Sequence, residues 1–237
     1  AHFEATTKHD VKAVEYYVRD VLAAHGMESL QELVHFGCTS EDINNVSYAL
    51  VTRDALTSVW LPAFSSVLNR LTELAKSWRG VPMLARTHGQ PATPTTFGKE
   101  LAVFASRLAQ VSERITHTPF LAKFSGATGT FSAHVVAEPA VNWPIVSKNF
   151  VEGLGLTWNP LTTQIESHDG AAELFGAISH ANRILHNLAT DMWTYISIGY
   201  LTQIPEPGAT GSSTMPHKIN PIRFENAEAN LEISSAL

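Results

Sequence analysis

Two adjacent serines, a lysine and an asparagine stand close together in Ser212-Ser213-Thr214-Met215-Pro216-His217-Lys218-Ile219-Asn220. Gly208 and Gly211 precede them and give the segment conformational freedom. Serine hydroxyls and backbone N–H groups, with Lys218 and Asn220 just before a helix start at Pro221, collect donors where an anion can sit. Gly-Ser pairs alone would read as a solvated linker. The ordered run Ser-Ser-x-Met-Pro-x-Lys-x-Asn-Pro is too specific for one. Histidines recur in other polar loops, notably His9 beside Asp10, His35, and His88 in Arg86-Thr87-His88-Gly89-Gln90-Pro91. An imidazole titrates near neutral pH, which suits proton transfer. Thr39 and Ser40 combine two hydroxyls with a helix start.

The elements that must hold these residues are helical. Val11 to His25 has helix-forming composition, and Glu41 to Trp78 carries Phe64, Leu68, Leu71 and Ala75 on one face. Ser40 suits its N-cap, and Glu41 and Asp42 suit the positive end of the dipole. Pro62 is expected to kink or split that segment. Thr95 to His117 forms a third helix. Asp169 to Tyr200 forms a fourth, with a heptad seam of Leu174, Ile178, Ala181, Leu185, Leu188 and Met192. Pro221 to Leu237 opens a fifth. Between them lie loops at Phe36 to Ser40, Arg86 to Pro94, Phe124 to Ala140, Trp158 to His168 and Pro205 to Pro221. Val81 to Arg86 is the one short extended candidate, and no internal repeat is visible.

Composition narrows the function. Charged residues are 16% of the 237, below the usual ~25%, and hydrophobic residues are 44%. That balance predicts a surface largely covered by partner subunits. A net charge of −6 and a pI near 6.0 argue against a nucleic-acid scaffold. The single Cys38 excludes an internal disulfide framework. His35 and Cys38 have metal-ligand spacing, but no second pair follows. There is no GxxxxGK phosphate loop, no HExxH helix, no apolar run of membrane-spanning length and no basic-then-apolar leader. Asn45-Val46-Ser47 is a formal glycosylation sequon. The lone histidines His117, His134, His180 and His186 read as structural or solvated, the Trp158-Asn159-Pro160 turn as structural, and His168-Asp169 as the opening of the long helix.

The Ser212–Pro221 run resembles the loop of the fumarase/aspartase superfamily, whose members eliminate fumarate from a succinyl-bearing substrate. His35-Phe36-Gly37-Cys38-Thr39-Ser40-Glu41-Asp42-Ile43-Asn44-Asn45 resembles a second region of that superfamily, and Arg86 to Pro94 a third. Thr7 to Glu15, with its His9-Asp10, and His217 in Met-Pro-His-Lys are similar to the adenylosuccinate lyase family within it. The resemblance implies an all-α fold, a bundle of long helices. It places the end of an N-terminal helical domain at residues 1–35 and a central bundle domain at 36–237. It also implies a homotetramer with active sites drawing loops from three subunits.

The same resemblance implies roles. Ser212 would be the general base that takes a proton from the carbon beside a carboxylate, and His88 the general acid at the leaving nitrogen. Lys218, Asn220 and loop N–H groups would stabilise a doubly charged aci-carboxylate. Lys8, His9 and Asp10 would meet the nucleotide, and Thr39 and Ser40 a carboxylate. Gln164 would reach substrate from another subunit, while His35 and Ser213 are further possible contacts. No redox cofactor or metal is required by this chemistry.

The expected reactions are cleavage of adenylosuccinate to AMP and fumarate, and of the succinyl-carboxamide ribotide of purine synthesis to its carboxamide product and fumarate. A chain opening at Ala1 and ending at Leu237, each inside a helix, is expected to be a piece cut at both ends. Weak or absent activity is expected of it alone. The alternatives are a sister lyase such as argininosuccinate lyase, disfavoured by His9-Asp10 and His217, and a non-catalytic helical scaffold, disfavoured by the intact Ser212, His88 and Lys218.

Overall fold

The computed structural model describes residues 2–205, 208, 214–215 and 217–237. The chain divides into two compact units, Ala1–Leu61 with Pro119–Ala171, and Pro62–Thr118 with Ala172–Leu237. Helices dominate both, as expected of an all-α fold, and the described strands form two small two-stranded sheets.

The first unit opens with α1 (His2–Thr7) and α2 (Asp10–Ala24), separated at Lys8 by a left-handed turn, φ 52°. On α2, burial alone would raise the Glu15 carboxyl, but bonds from Lys12 and Arg19 outweigh it and hold the carboxyl below its usual range. A 3₁₀ turn at Glu28–Leu33 leads to α3 (Ser40–Ala55). The expected interruption near Pro62 is a π turn at Leu56–Trp60, ahead of α4 (Leu61–Ser77). There the Leu61 N–H reaches back to the Leu56 carbonyl. Widening the helix just before a residue with no N–H lets the chain pass the proline ring without breaking.

The core of this unit joins Val46, Ala122, Val151 and Leu156, with Leu50, Phe120, Phe124 and Trp158 against them. Two short parallel strands, β3 (Leu121–Ala122) and β4 (Thr157–Trp158), tie it together. The Phe124–Ala140 loop holds α6 (Ser132–Ala137). Beyond it lies a helix that the sequence pattern does not announce, α7 (Trp143–Gly153). Asn142 caps it by accepting the Ile145 N–H at 3.3 Å, and Pro144 sits in its first turn. It buries only Ser147 and Val151, and its Ile145, Val146 and Phe150 stay exposed.

In the second unit α4 buries Phe64, Leu71 and Ala75, the face that the spacing predicts, with Leu68 partly covered. Next comes an antiparallel hairpin of β1 (Pro82–Thr87) and β2 (Gln90–Thr96). The extended piece near Val81 is therefore one arm of a pair, and the expected Arg86–Pro94 loop is mostly strand. α5 (Phe97–His117) follows, stacking Phe97 on Trp78 at 5.0 Å between ring centres. Gly98 permits that approach, because a Cβ there would stand 2.4 Å from the Ala75 carbonyl. Most of α8 (Asp169–Ser197) lies in this unit. Its deepest apolar line runs through Leu174, Ala177, Ala181, Ile184, Ala189 and Met192. Ala177, Ile184 and Ala189 thus replace the expected Ile178, Leu185 and Leu188, which are only partly covered. α9 (Ile222–Ala236) is tied to α8 by Trp193 Nε1–H to Glu225 (3.1 Å) and Asn182 to Ser234 (3.0 Å).

Candidate functional site

The first unit gathers its site residues at the start of α3. Thr39 and Ser40 form that start, half-buried. The His9 ring sits 3.4 Å from Ser40 Oγ through Nε2, while its Nδ1 accepts the Lys12 N–H at 3.3 Å. A neutral ring that accepts at Nδ1 carries its proton on Nε2, so His9 donates to Ser40. From the other side Gln164 Nε2–H donates to Thr39 Oγ1 at 3.2 Å. Each hydroxyl oxygen therefore has a donor from the protein, which leaves each hydroxyl proton free to point at an anion. The positive end of α3 adds to that preference. Lys8 is exposed beside His9, and Asp10 turns to the Val11 N–H at 2.8 Å. His35 is half-buried at φ 65°.

Beneath this surface lies a buried charge network that sequence reasoning missed. Asp42 and Lys123 are fully buried and paired at 2.8 Å. The Asp42 carboxylate also accepts the N–H groups of Thr39 (2.9 Å), Ser125 (3.0 Å) and Gly126 (3.0 Å), and Lys123 donates to the Gly126 carbonyl at 3.2 Å. Asn45 locks the Lys123 backbone from both sides, accepting its N–H at 2.8 Å and donating to its carbonyl at 3.1 Å. Thr39, not the expected Ser40, is the N-cap of α3, and Asp42, expected only to suit the helix dipole, takes the Thr39 N–H and also anchors a distant loop. A single lysine inside the apolar run Phe120 to Phe124 was the signal available.

His168, expected to open the long helix or, by the family resemblance, to lie near the site, is held at φ 61° just before α8. Its Nδ1 lies 3.6 Å from buried Glu166, and its Nε2 lies 3.7 Å from Glu41 Oε1, which is buried and makes no hydrogen bond. Glu166 also takes the Asn159 amide at 2.8 Å. The loop carrying Gln164 is thereby fastened to the first turn of α3. His134 is structural, as expected. It is fully buried among Phe36, Phe124, Phe131 and Trp143, with neither ring nitrogen hydrogen-bonded. Burial pushes it below the usual histidine range, and the Asp42 charge opposes only part of that. Burial, then Asp42, pushes the Cys38 thiol up to about 12, so it is no thiolate nucleophile. No group of three His, Cys, Asp or Glu among the described residues is placed to hold a metal.

In the second unit His88 occupies the tip of the hairpin. Thr87 and Gln90 pair, and the two residues between them, His88 and Gly89, have φ of 52° and 73°. Positive φ at both central positions is what a two-residue type I′ turn needs. The ring is exposed. Lys218 and Asn220 are exposed ahead of α9, with the Lys218 N–H closing a turn onto the Met215 carbonyl at 2.9 Å. Ser212 and Ser213 lie outside the described residues. The geometry brings together His9, Ser40, Thr39 and Gln164 in one unit, and sets His88, Lys218 and Asn220 in the other.

Residues 1–232 match the family described as lyase, and the chain belongs to that family. Among curated relatives, the chain is 48% identical over 236 residues to the adenylosuccinate lyase of Vibrio cholerae, covering 99% of this chain and 52% of that protein. It is 49% identical to that of Legionella pneumophila, with the same coverage, and 46% identical over 235 residues to that of Escherichia coli, again 99% and 52%. The chain thus spans about half the length of the curated relatives it matches. Among solved structures it resembles the 3-carboxy-cis,cis-muconate lactonizing enzyme of Pseudomonas putida, with a TM-score of 0.78 at 24% identity over 98% of this chain and 51% of that one. That likeness concerns the fold alone. A fumarate lyase of Mesorhizobium gives a TM-score of 0.69 at 25% identity, over 91% of this chain and 50% of that one. No described helix is long and apolar enough to cross a membrane.

Proposed function

We propose that this chain carries part of the active site of an adenylosuccinate lyase. It would cleave adenylosuccinate to AMP and fumarate, and the corresponding succinyl-carboxamide ribotide to its carboxamide product and fumarate. The observation that carries this reading is the pair of hydroxyls at the start of α3. Each has its oxygen supplied with a donor, from His9 and from Gln164, and each keeps its proton for a carboxylate of the succinyl group.

Elimination then needs a base and an acid. Ser212 Oγ, activated in a desolvated loop, takes the proton from the succinyl carbon beside a carboxylate. The electron pair left behind spreads into that carboxylate as a doubly charged aci-carboxylate, which Lys218, Asn220 and loop N–H groups stabilise. The bond from carbon to the purine-side nitrogen breaks, His88 protonates that nitrogen, and the new double bond makes fumarate. Lys8, His9 and Asp10 flank the helix start and would meet the nucleotide. The active protein is read as a cytoplasmic homotetramer, with residues 36–237 in its central bundle domain and residues 1–35 ending the domain before it. This chemistry needs no metal or redox cofactor.

The test is substrate discrimination by the protein at its natural length. Fumarate formation is followed with adenylosuccinate and with argininosuccinate in separate reactions. Turnover of the first alone is expected. Turnover of argininosuccinate alone would replace the purine reading with a sister lyase.

A further inference from the structure

The tip that carries His88 is poorly supported by its own strands. The register shifts between Leu84 and Arg86, so one residue of β1 faces two of β2, and Pro91 and Pro94 stand where β2 turns its backbone nitrogens away from β1. Leu84 pairs with Pro94 at a position whose carbonyl points away from β2, and that carbonyl is met by the Tyr200 hydroxyl at 3.0 Å. That hydroxyl in turn accepts from Arg86 Nε–H at 3.0 Å, and Arg86 Nη1–H donates to the carbonyl of Gly89, the residue after His88, at 2.9 Å. The guanidinium also lies over the Tyr200 ring, 5.6 Å from its centre. Tyr200 is anchored by stacking on Tyr195, whose ring meets Phe97 edge-on.

Side-chain bonds thus brace the strand before the turn and the turn itself, and they end one residue from His88. An imidazole at positive φ on a two-residue turn has its direction set by the turn's twist. A change at Leu84 or Gly89 rotates it bodily. We infer that Arg86 and Tyr200 are positioning residues for His88, forming a clamp that fixes the direction of the proton donor without touching substrate. This rests on the reading of His88 as the general acid.

A structural support would change stability alone. A positioning pair changes kcat, leaves KM, and acts only while His88 is present. The experiment measures kcat and KM for fumarate release by the natural-length protein as Tyr200→Phe and as Arg86→Lys, each also in a His88→Asn background, with Tm and oligomeric state recorded. Phe keeps the ring and removes the hydroxyl. Lys keeps the charge but cannot reach both partners. Each single change is expected to lower kcat about 10-fold or more, with KM within about twofold. Adding either change to His88→Asn is expected to lower the residual rate less than about twofold, because a lost acid cannot be misaimed. Two results would overturn the clamp: unchanged kcat in both single variants, or an equal fall with and without His88. A His88→Asn protein of full activity would instead remove the reading on which the clamp stands, and the clamp with it.

Discussion

The α3 start and the hairpin tip solve the same problem, holding a polar side chain in a defined direction, by opposite means. Under Thr39 and Ser40 the support is buried and ionic, with Asp42 and Lys123 at zero exposure gathering backbone N–H and carbonyl groups from two distant segments. Around His88 the support is exposed and made of side-chain bonds from Arg86 and Tyr200. The difference follows from the jobs. On the proposed reading the α3 start binds an anion and gains from rigidity, which a buried, hydrogen-bonded ion pair supplies. His88, on the proposed reading, must deliver a proton to a leaving group, and it stands on an exposed turn with weaker support. The contrast predicts that damage at the α3 start appears as lost stability, and damage at the tip as lost rate.

The largest effect should come at the tip. His88→Asn is expected to lower kcat for fumarate release by about 10²–10⁴-fold with little change in Tm, measured by steady-state kinetics and thermal unfolding. Next comes the network. Asp42→Ala strands the Lys123 ammonium in the interior and should cost about 3–5 kcal/mol, read from a urea unfolding curve. Equal stability would show the pair to be dispensable.

A smaller loss is expected of Gly37→Ala. That residue has φ 66°, and a Cβ would stand 2.5 Å from the buried His134 ring, so overpacking and backbone strain together should cost about 1–3 kcal/mol in the same assay. The smallest effect is pH-linked. His134 sits below its unfolded pKa of about 6.5 because it is buried, so the unfolded chain takes up a proton first as pH falls. Its contribution is constant above about pH 6.5, and stability falls below that, with a slope of at most about 1.4 kcal/mol per pH unit until the folded ring protonates. His134→Leu should flatten that slope in unfolding curves at pH 5 to 7, read at about half-unit steps.

The long helices were legible because their apolar spacing persists over many turns, as in α5 and on the buried face of α4. α7 was not, since it is only 11 residues long and its apolar Ile145, Val146 and Phe150 stay exposed instead of marking a buried face. The seam of α8 was read one flank away from where the alanines let neighbours approach, because hydrophobicity alone ranks Ile178 and Leu185 above Ala177. His88, Thr39, Ser40 and Gln164 were picked out because loop motifs keep their spacing in sequence. Their supports were hidden because each joins distant segments. Asp42 meets residues 123 to 126, and Leu84 and Arg86 meet Tyr200. No local pattern records such pairings.

The most direct test is fumarate release from adenylosuccinate by the natural-length protein, beside Ser212→Ala. The account predicts steady formation of fumarate and AMP in equal amounts, and a fall of at least about 100-fold in the variant at unchanged Tm. A folded protein that makes no fumarate from adenylosuccinate, or a Ser212→Ala variant as fast as the parent, would contradict it.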